Sequence, residues 1–276
     1  MFELPEMLTL ATQINATLQG KIIREGNLGN SPHKFVWYNR TPEEFTRLTG
    51  GKTIRQVYAK GRWLFIPLEP GYVLVLGECG GKIGYHAAGM ELPPKFHLFL
   101  RFADDSALTV MTQMWGAMEL FESGREKERK YVKDMRTTPI DPEFTFDYFS
   151  ALIDELLKGE KRSVKSLLTQ NQLLPGLGNA SAQDIMFHAH LHPRHTLADL
   201  TPTQRRDLYA AITGTLDAII AGGGRNDETN LFGKPGSYIR IMDNARVGKN
   251  CPRCGGTVEK IQYLGGACYF CPDCQI

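Results

Sequence analysis

The sequence predicts an α+β protein of more than one domain, with an antiparallel β-rich half followed by a helical half. Three observations support this fold class. The first half contains short strand-like runs separated by Gly, Pro and Asn, whereas apolar residues in the second half recur at helical spacing. Two Cys-x-x-Cys pairs lie near the end of the chain. The length of 276 residues also exceeds what one small core requires.

The composition fits a globular protein but does not identify a partner. Hydrophobic residues make up 42% of the chain and charged residues 22%, and 32 Lys+Arg against 30 Asp+Glu gives a net charge of +2. Residues 234–260 contain six basic and two acidic side chains, which is typical of a nucleic-acid surface or of a solvated face. No stretch approaches the ~20 apolar residues of a membrane span, and the start lacks a signal-peptide pattern. We therefore expect a cytoplasmic protein whose six cysteines are thiols or metal ligands.

The first half begins with a predicted helix and continues with short strands. Glu3-Leu-Pro-Glu6 opens the helix, with Pro5 in its first turn, and Gly20 ends it. Strands are predicted at 21–25, 53–59, 63–68, 72–76, 97–102, 108–111 and 117–121. Close turns between short strands favour an antiparallel sandwich or barrel over parallel β-α-β units. The almost wholly charged segment 122–136 is expected to link the two halves.

The second half is built around Leu173-Leu-Pro-Gly-Leu-Gly-Asn179, which predicts two tight turns between two helices. Its proline, with Gly176 and Gly178, interrupts any helix through this point. Asn179 stands where the following helix needs an N-cap. The free N–H groups of such turns suit a phosphate, and the basic segment ending at Lys165 precedes them, although a plain helix–helix corner remains the alternative.

Other helices are predicted on both sides of these turns. A helix over 144–157 is ended by Gly159, and Ser163 can cap the next one. Thr201-Pro-Thr-Gln204 has the pattern of a capping box, and three glycines at 222–224 stop the helix that it opens.

The cysteines near the end of the chain predict one structural zinc site. Cys251-Pro-Arg-Cys254 and Cys271-Pro-Asp-Cys274 are separated by sixteen residues, so each pair can lie on a tight turn and supply two ligands to one tetrahedron. Cys268 also stands at a permitted spacing from Cys271, but the matching Cys-Pro-x-Cys pattern favours Cys271 and Cys274. Four cysteine ligands leave no position for substrate, so this ion is expected to stabilise structure.

Together, these motifs resemble the formamidopyrimidine-DNA glycosylase/endonuclease VIII family. The resemblance rests on the Glu-Leu-Pro-Glu start, the β-rich first half, the Pro-Gly-Leu-Gly-Asn turn and the four-cysteine finger ending in Gln275. It covers nearly the whole chain. It implies an N-terminal β-sandwich domain with a flanking helix at 1–122, a charged linker at 123–137, a helix-two-turn-helix domain at 138–250 and a zinc finger at 251–276.

The resemblance also implies an activity and a partner. Members of the family flip a damaged base out of the duplex, attack the sugar with an N-terminal amine and nick the strand through a Schiff base. We therefore expect a monomeric DNA glycosylase/AP lyase of base-excision repair. Its partner would be double-stranded DNA that carries a damaged base or an abasic site.

Site residues are carried over by position in the motifs. Glu3 matches the family's general acid/base, Lys60 its phosphate-binding lysine and Asn179 the asparagine that holds the phosphate at the lesion. Their alternatives are an exposed helix acid, a surface lysine and a plain helix cap. The candidate catalytic residues are Glu3, Lys60 and Met1, and the candidate DNA-binding residues are Lys60, Trp115, Lys165, Gly176, Gly178, Asn179 and Arg253.

The sequence departs from the family pattern at the nucleophile. The family has a proline at position 2, which becomes the terminus when the initiator methionine is removed, whereas this chain has Phe2. A side chain of that size normally blocks removal of Met1. The nucleophile would then be the α-amine of Met1, or Lys60. A free α-amine has a pKa of about 8 and is partly neutral at physiological pH, so Met1 is chemically competent.

The DNA-facing positions also differ from the family. Glu78 stands where the family has an apolar wedge, and it would repel the DNA backbone if it faced the groove. Gln113 and Trp115 lie where Arg-Arg-Phe is usual, and Trp115 is either a stacking residue or a core aromatic. Gly266 replaces a phosphate-binding arginine, with Arg253 or Lys260 as candidate substitutes.

Three hypotheses follow. The first is a divergent DNA glycosylase/AP lyase that uses an amine. The second is a catalytically inactive homologue that binds abasic or distorted DNA without cutting it. The third is a zinc-stabilised scaffold that binds protein, which would leave Asn179 and the basic segment without a role.

Overall fold

The chain divides into two compact units. The computed structural model describes residues 1–31 and 34–276. The first unit comprises Met1–Met135 and Gly222–Ser237, and the second comprises Arg136–Ala221 and Tyr238–Ile276. Two features differ from the segments expected from sequence: 222–237 packs with the N-terminal unit, and the cysteine module packs with the helices.

The first unit begins with helix α1, Leu4–Leu18, which Glu3 caps. The backbone N–H of Glu3 donates to Glu6 Oε2 at 2.9 Å, so the acidic pair in Glu-Leu-Pro-Glu fixes the start of the helix. Leu10, Ile14 and Leu18 form its buried face. The predicted helix is confirmed at this position.

Short strands and a second helix complete the first unit. The strands are β1 Ile23–Leu28, β2 Val36–Tyr38, β3 Thr53–Ile54, β4 Tyr58–Lys60, β5 Trp63–Glu69, β6 Tyr72–Gly77, β7 Gly81–His86, β8 Leu98–Phe102, β9 Ala107–Thr112 and β10 Gly116–Glu122. Helix α2 spans Pro42–Thr49. One sheet has the order β1-β8-β9-β7, the other has β2-β10-β6-β5-β3, and β4 pairs with β5.

The two sheets share one apolar core with α1. Leu64 and Leu74 come from one sheet, Leu100 and Leu108 from the other, and Ile14 from the helix, and all five are buried in one cluster. Burial of this apolar surface is the main favourable contribution to folding. The predicted antiparallel β-sandwich with a flanking helix is therefore confirmed.

Sequence patterns missed three elements of the sandwich. Strand β7 contains two glycines and only two large apolar residues, Ile83 and Tyr85, and it pairs along its length with β9. Strand β2 has three residues and pairs in parallel with β10. Helix α2 had a readable signal, because Thr41 and Glu44 form a capping box in which Glu44 N–H donates to Thr41 Oγ1 at 3.2 Å.

The second unit is helical and ends in a hairpin. A short helix α3, Lys130–Lys133, precedes it within the charged segment predicted as a linker. The unit's own elements are α4 Phe146–Leu156, α5 Val164–Thr169, α6 Asn179–His188, α7 Pro202–Ala221, β11 Glu259–Tyr263 and β12 Gly266–Phe270. Ser163 caps α5 and Thr201 caps α7, as predicted. Within the described residues, no helix combines the length and apolar character needed to cross a membrane.

A buried carboxylate attaches α6 to the segment that leads into the hairpin. Asp184 accepts hydrogen bonds from the backbone N–H groups of Ile241 and Met242 and from the Tyr238 hydroxyl, at 2.7–3.1 Å. Burial raises the pKa of Asp184, and these donors oppose that rise by stabilising the charged form. The hydrogen bonds hold 238–242 against the middle of the helix.

Candidate functional site

The amino terminus lies against a close-packed glycine between β6 and β7. The Phe2 N–H donates to the carbonyl of Cys79 at 3.0 Å. A Cβ atom added to Gly80 would lie 2.9 Å from Met1 Cα, closer than real Cβ atoms come to other atoms. Only glycine therefore permits this approach, which leaves Met1 39% exposed at the surface of the unit.

Phe2 is fully buried in the sandwich core, in the same cluster as Leu10 and Leu76. The departure from proline at this position therefore places an aromatic ring in the core and not in the surface around the terminus. As a result, the Phe2 ring is buried while Met1 stays accessible.

The α-amine of Met1 contacts a carboxylate from a distant part of the chain. Its nitrogen lies 2.5 Å from Oε1 of Glu228, whose side chain is only 12% exposed. Sequence reasoning missed Glu228, although it lies in the short acidic run Asp227-Glu228 after the three glycines that end α7.

Arg225 connects the terminus to the start of α1. Its buried guanidinium lies 3.0 Å from Glu3 Oε1 and 3.1 Å from Glu6 Oε2, and Nη2 donates to the Met1 carbonyl at 2.9 Å. Glu228 lies slightly further away, at 3.6 Å. A buried cation needs such partners, because an unpaired charge away from water is very costly.

The charges in this cluster shift the pKa values of its members. Burial acts to lower the pKa of Arg225. The charges of the surrounding carboxylates, chiefly Glu3 and Glu6, together have a larger effect and raise the pKa, so the guanidinium stays charged. Burial raises the pKa of Glu6, as does the charge of Glu3, while Arg225 acts in the opposite direction. Glu3 is itself buried, so the alternative of a solvent-exposed helix acid is wrong.

Lys60 lies at the end of β4, exposed, where a turn through Gly61 leads into β5. In the described part of the chain, Lys60 forms no ion pair. The turn also carries Arg62, whose guanidinium pairs with Glu78 at 3.1 Å and lies 3.4 Å from the Met1 sulfur. Arg62 therefore compensates the charge of Glu78, which sequence reasoning expected to repel DNA.

Three exposed aromatic rings form a group that we call the aromatic platform, consisting of Phe35, Trp37 and Trp115. The Trp115 ring stacks on Trp37 with centroids 5.5 Å apart and planes 7° apart, and lies 4.7 Å from Phe35. Trp115 is 40% exposed, so its alternative interpretation as a core aromatic is wrong. Exposed stacked rings offer a flat apolar surface of the kind on which bases stack.

In the second unit, the two predicted turns lie between α5 and α6. Gly176 has φ +96°, a left-handed conformation that favours glycine. Gly178, with extended backbone, caps α6 and Asn179 is its first residue, which corrects the predicted cap by one position. The exposed Asn179 side chain donates from Nδ2 to the carbonyl of Ala267 in the hairpin at 3.2 Å.

Lys165 is only 1% exposed, which corrects the expectation that it faces DNA. Its ammonium donates to the carbonyls of Tyr263 and Gly266, at 2.5 and 3.2 Å. A Cβ atom at Gly266 would lie 3.3 Å from Asn179 Oδ1 and 3.6 Å from Lys165 Nζ. A side chain at 266 would therefore require the end of the Asn179 side chain to shift by a few tenths of an ångström.

Arg253 lies on the first cysteine turn and contacts the end of α6. Its guanidinium carbon is 4.2 Å from the centroid of the Phe187 ring, and Nη1 donates to the Phe187 carbonyl at 2.6 Å. Arg253 remains exposed, so part of the guanidinium still faces solvent. Lys260, the other candidate substitute for the missing arginine, donates to Asn244 Oδ1 at 3.0 Å.

The four paired cysteines lie close enough to hold one metal ion. The sulfur atoms of Cys251, Cys254, Cys271 and Cys274 all lie within 4.8 Å of one another. Two of the separations are 3.7 and 3.4 Å, near the ~3.8 Å edge of a tetrahedron with zinc–sulfur bonds of about 2.3 Å. Cys268 is buried in β12 and is not a member of this group.

Two family models match the chain. Residues 1–133 match the formamidopyrimidine-DNA glycosylase N-terminal domain, and residues 136–229 match the formamidopyrimidine-DNA glycosylase H2TH domain. The matches meet at the boundary between β-rich and helical sequence.

Relatives share the whole length of the chain. A formamidopyrimidine-DNA glycosylase of Bacillus licheniformis is 30% identical, across 100% of this chain and 99% of that protein. A second one, from Halalkalibacterium halodurans, is 28% identical across 100% of both chains.

Solved structures share the fold. The Lactococcus lactis Fpg, in complex with DNA containing an abasic site, matches with a TM-score of 0.84 at 23% identity over 99% of each chain. The MutM (Fpg) protein of Thermus thermophilus matches with a TM-score of 0.81 at 26% identity, over 99% of this chain and 98% of that one.

Removal of the buried cation tests the cluster at the terminus. Arg225→Met is expected to lower the free energy of unfolding of the first unit by about 3–5 kcal/mol, because it leaves the Glu3 and Glu6 carboxylates buried without compensation. All three tryptophans lie in the first unit, so urea unfolding followed by tryptophan fluorescence is a suitable measurement.

The variant should also gain a pH dependence. Without the cation, the pKa values of the two buried carboxyls rise in the folded state, so stability is recovered as pH falls below 7 and lost as pH rises. The control is Arg55→Met, which breaks the exposed pair with Glu69 and should cost about 1 kcal/mol or less. Equal losses in both variants would contradict the assigned role of Arg225.

Proposed function

The chain belongs to the formamidopyrimidine-DNA glycosylase family, and on this premise we propose that it is a DNA glycosylase/AP lyase of base-excision repair. Its substrate would be double-stranded DNA with a damaged base or an abasic site, bound by a monomer in the cytoplasm. The observation that carries the proposal is the amino terminus of the first unit, where an accessible α-amine lies against a carboxylate.

The Met1 amine is the proposed nucleophile, which requires Met1 to be the first residue of the mature protein. A primary amine can attack sugar C1′ and form the Schiff base that leads to strand cleavage. Glu3 is the proposed general acid/base for the sugar, supported by its place in the same charge cluster. Lys60 is the second candidate amine, because it is exposed at the end of β4.

The proposed DNA contacts combine charge, hydrogen bonding and stacking. Lys60 and Arg253 offer cationic groups to phosphates, while Asn179 and the turn through Gly176 and Gly178 offer neutral donors. Trp115, exposed just before β10, is proposed to stack on a base. Lys165 is proposed to act indirectly, since its ammonium is used to hold the hairpin.

A non-cleaving DNA-binding homologue is the second candidate, and Phe2 in place of proline is the observation in its favour. Burial of the Phe2 ring weakens that argument, because the aromatic side chain does not cover the amine. The scaffold hypothesis would leave the contacts of Met1, Arg225 and Glu228 without a role. The enzyme therefore accounts for more of the observed geometry.

One structural zinc ion is proposed at Cys251, Cys254, Cys271 and Cys274. The sulfur separations suit its tetrahedral geometry, and thiolate ligands suit zinc. When bound, the ion would fix the two turns on either side of the hairpin. With four protein ligands it has no open position for catalysis.

Borohydride trapping tests the amine chemistry. With a duplex that contains one abasic site, we expect a covalent adduct that peptide mass mapping assigns to the Met1 amine. Intact-mass measurement should also show that Met1 is retained. Lys60→Ala should weaken DNA binding but keep the adduct. An adduct on Lys60 would transfer the nucleophile to that residue, whereas a gel shift without any adduct would support the non-cleaving homologue.

Loss of the amide in the two-turn segment tests the DNA surface. Asn179→Ala should weaken binding by about 1–3 kcal/mol at fixed salt, as expected for lost hydrogen bonds to a charged group. The control is Thr203→Ala, which alters an exposed, uncharged residue in the first turn of α7. Equal affinities of the two variants in a titration would remove Asn179 from the interface.

Two cysteine variants test the metal site. Cys251→Ala should lose zinc because three ligands bind the ion much more weakly than four, and Cys268→Ala should retain it because Cys268 stands outside the group. Elemental analysis of both purified variants measures the zinc content. Zinc retained in Cys251→Ala, or lost only in Cys268→Ala, would contradict the ligand set.

A further inference from the structure

We propose that Glu228 is a second catalytic acid/base, dedicated to moving protons to and from the Met1 amine. The inference rests on the proposed amine chemistry and adds a residue that sequence motifs did not indicate. Its starting observation is the 2.5 Å contact between the Met1 nitrogen and Glu228 Oε1, which lies within direct proton-transfer distance.

Glu228 is more available to the amine than the other carboxylates of the cluster. Glu3 and Glu6 lie 3.0 and 3.1 Å from the Arg225 guanidinium, whereas Glu228 lies 3.6 Å away from it. Arg225 therefore lies closer to the two helix acids than to Glu228, whose shortest ion pair is with the Met1 amine at 2.5 Å.

The other charged groups around the terminus either have a partner of opposite charge or are screened by solvent. Arg62 approaches the Met1 sulfur at 3.4 Å, and its charge is compensated by Glu78. Asp227 lies 3.7 Å from Arg225 and is 43% exposed, so solvent screens much of its charge. Glu228 is therefore the carboxylate in direct contact with the amine.

The backbone holds Glu228 in position. Its N–H donates to the Arg225 carbonyl at 3.2 Å, and its own carbonyl accepts from Gly236 N–H at 3.3 Å. The Arg225 N–H in turn donates to Glu6 Oε1 at 3.0 Å, which ties this segment to the first turn of α1. Glu228 is therefore held near the start of α1 by hydrogen bonds, and the Met1 amine is held there by the chain itself. The fold thus fixes the distance between them.

In the reaction with an abasic site, the proton that Glu228 takes from Met1 is later returned to the leaving oxygen of the sugar. Glu228 first accepts a proton from the Met1 ammonium, and the nitrogen lone pair then forms a bond to C1′ of the sugar aldehyde. The carbonyl oxygen takes a proton from that nitrogen and becomes a hydroxyl group. Glu228 returns its proton to this hydroxyl, which leaves as water as the protonated imine forms. The carboxylate is regenerated, and no co-reactant is needed.

The test compares Glu228→Gln with wild type and with the control Glu91→Gln, an exposed site in the first unit. The measurement is the single-turnover rate of borohydride trapping on the abasic duplex from pH 5 to 9. We expect Glu228→Gln to lower the maximum rate of the pH profile by about 100-fold, a typical contribution of general acid–base catalysis. Glu91→Gln should match wild type. Equal affinity of all three proteins for a duplex with a tetrahydrofuran abasic analogue would show that Glu228→Gln is folded.

The pH profile separates proton transfer from simple charge pairing. If Glu228 only held the ammonium, its loss would move the profile to lower pH and leave the maximum rate unchanged, and that result would overturn the inference. A wild-type protein that binds the duplex but forms no adduct would overturn the proposed function and this inference together. If wild type forms the adduct and the maximum trapping rate of Glu228→Gln is undiminished, the inference alone is overturned.

Discussion

The geometry of the first unit depends on one buried cation, the guanidinium of Arg225. It pairs with Glu3 and Glu6 at the start of α1 and donates to the carbonyl of Met1. Each of these groups would be costly to bury alone, so the cap of the helix, the terminus and the segment 222–237 stabilise one another. A site assembled in this way is fixed before substrate arrives, which favours reaction because the geometry does not have to be formed during it.

In the second unit, side-chain donors hold the hairpin against the helices. The buried Lys165 and the exposed Asn179 donate to backbone carbonyls of the hairpin. The proposed zinc ion at the four cysteines would restrain the base of that hairpin separately from its tip. A lysine used for this purpose is unavailable for phosphate, which means that local sequence alone overstates the number of cations that can face DNA.

Sequence predicted what depends on short spacing. The helix start at Glu3-Leu-Pro-Glu6, the four-cysteine group and the interrupted helix before Asn179 all have their determinants within one short stretch of sequence each. Arg225 and Glu228 were missed because they meet Met1 across more than two hundred residues, and no periodicity connects such positions. The burial of Lys165 was missed for a related reason. Its acceptors are backbone carbonyls, and because every residue has one, no sequence pattern marks those of Tyr263 and Gly266.

The burial of Phe2 beside an accessible Met1 has a consequence for how the protein matures. Any acyl group on the Met1 nitrogen turns the amine into an amide. An amide nitrogen has no basic lone pair and cannot pair with Glu228 as a cation. The proposed reaction therefore requires a free Met1 amine, and an affinity tag fused at this end would block it.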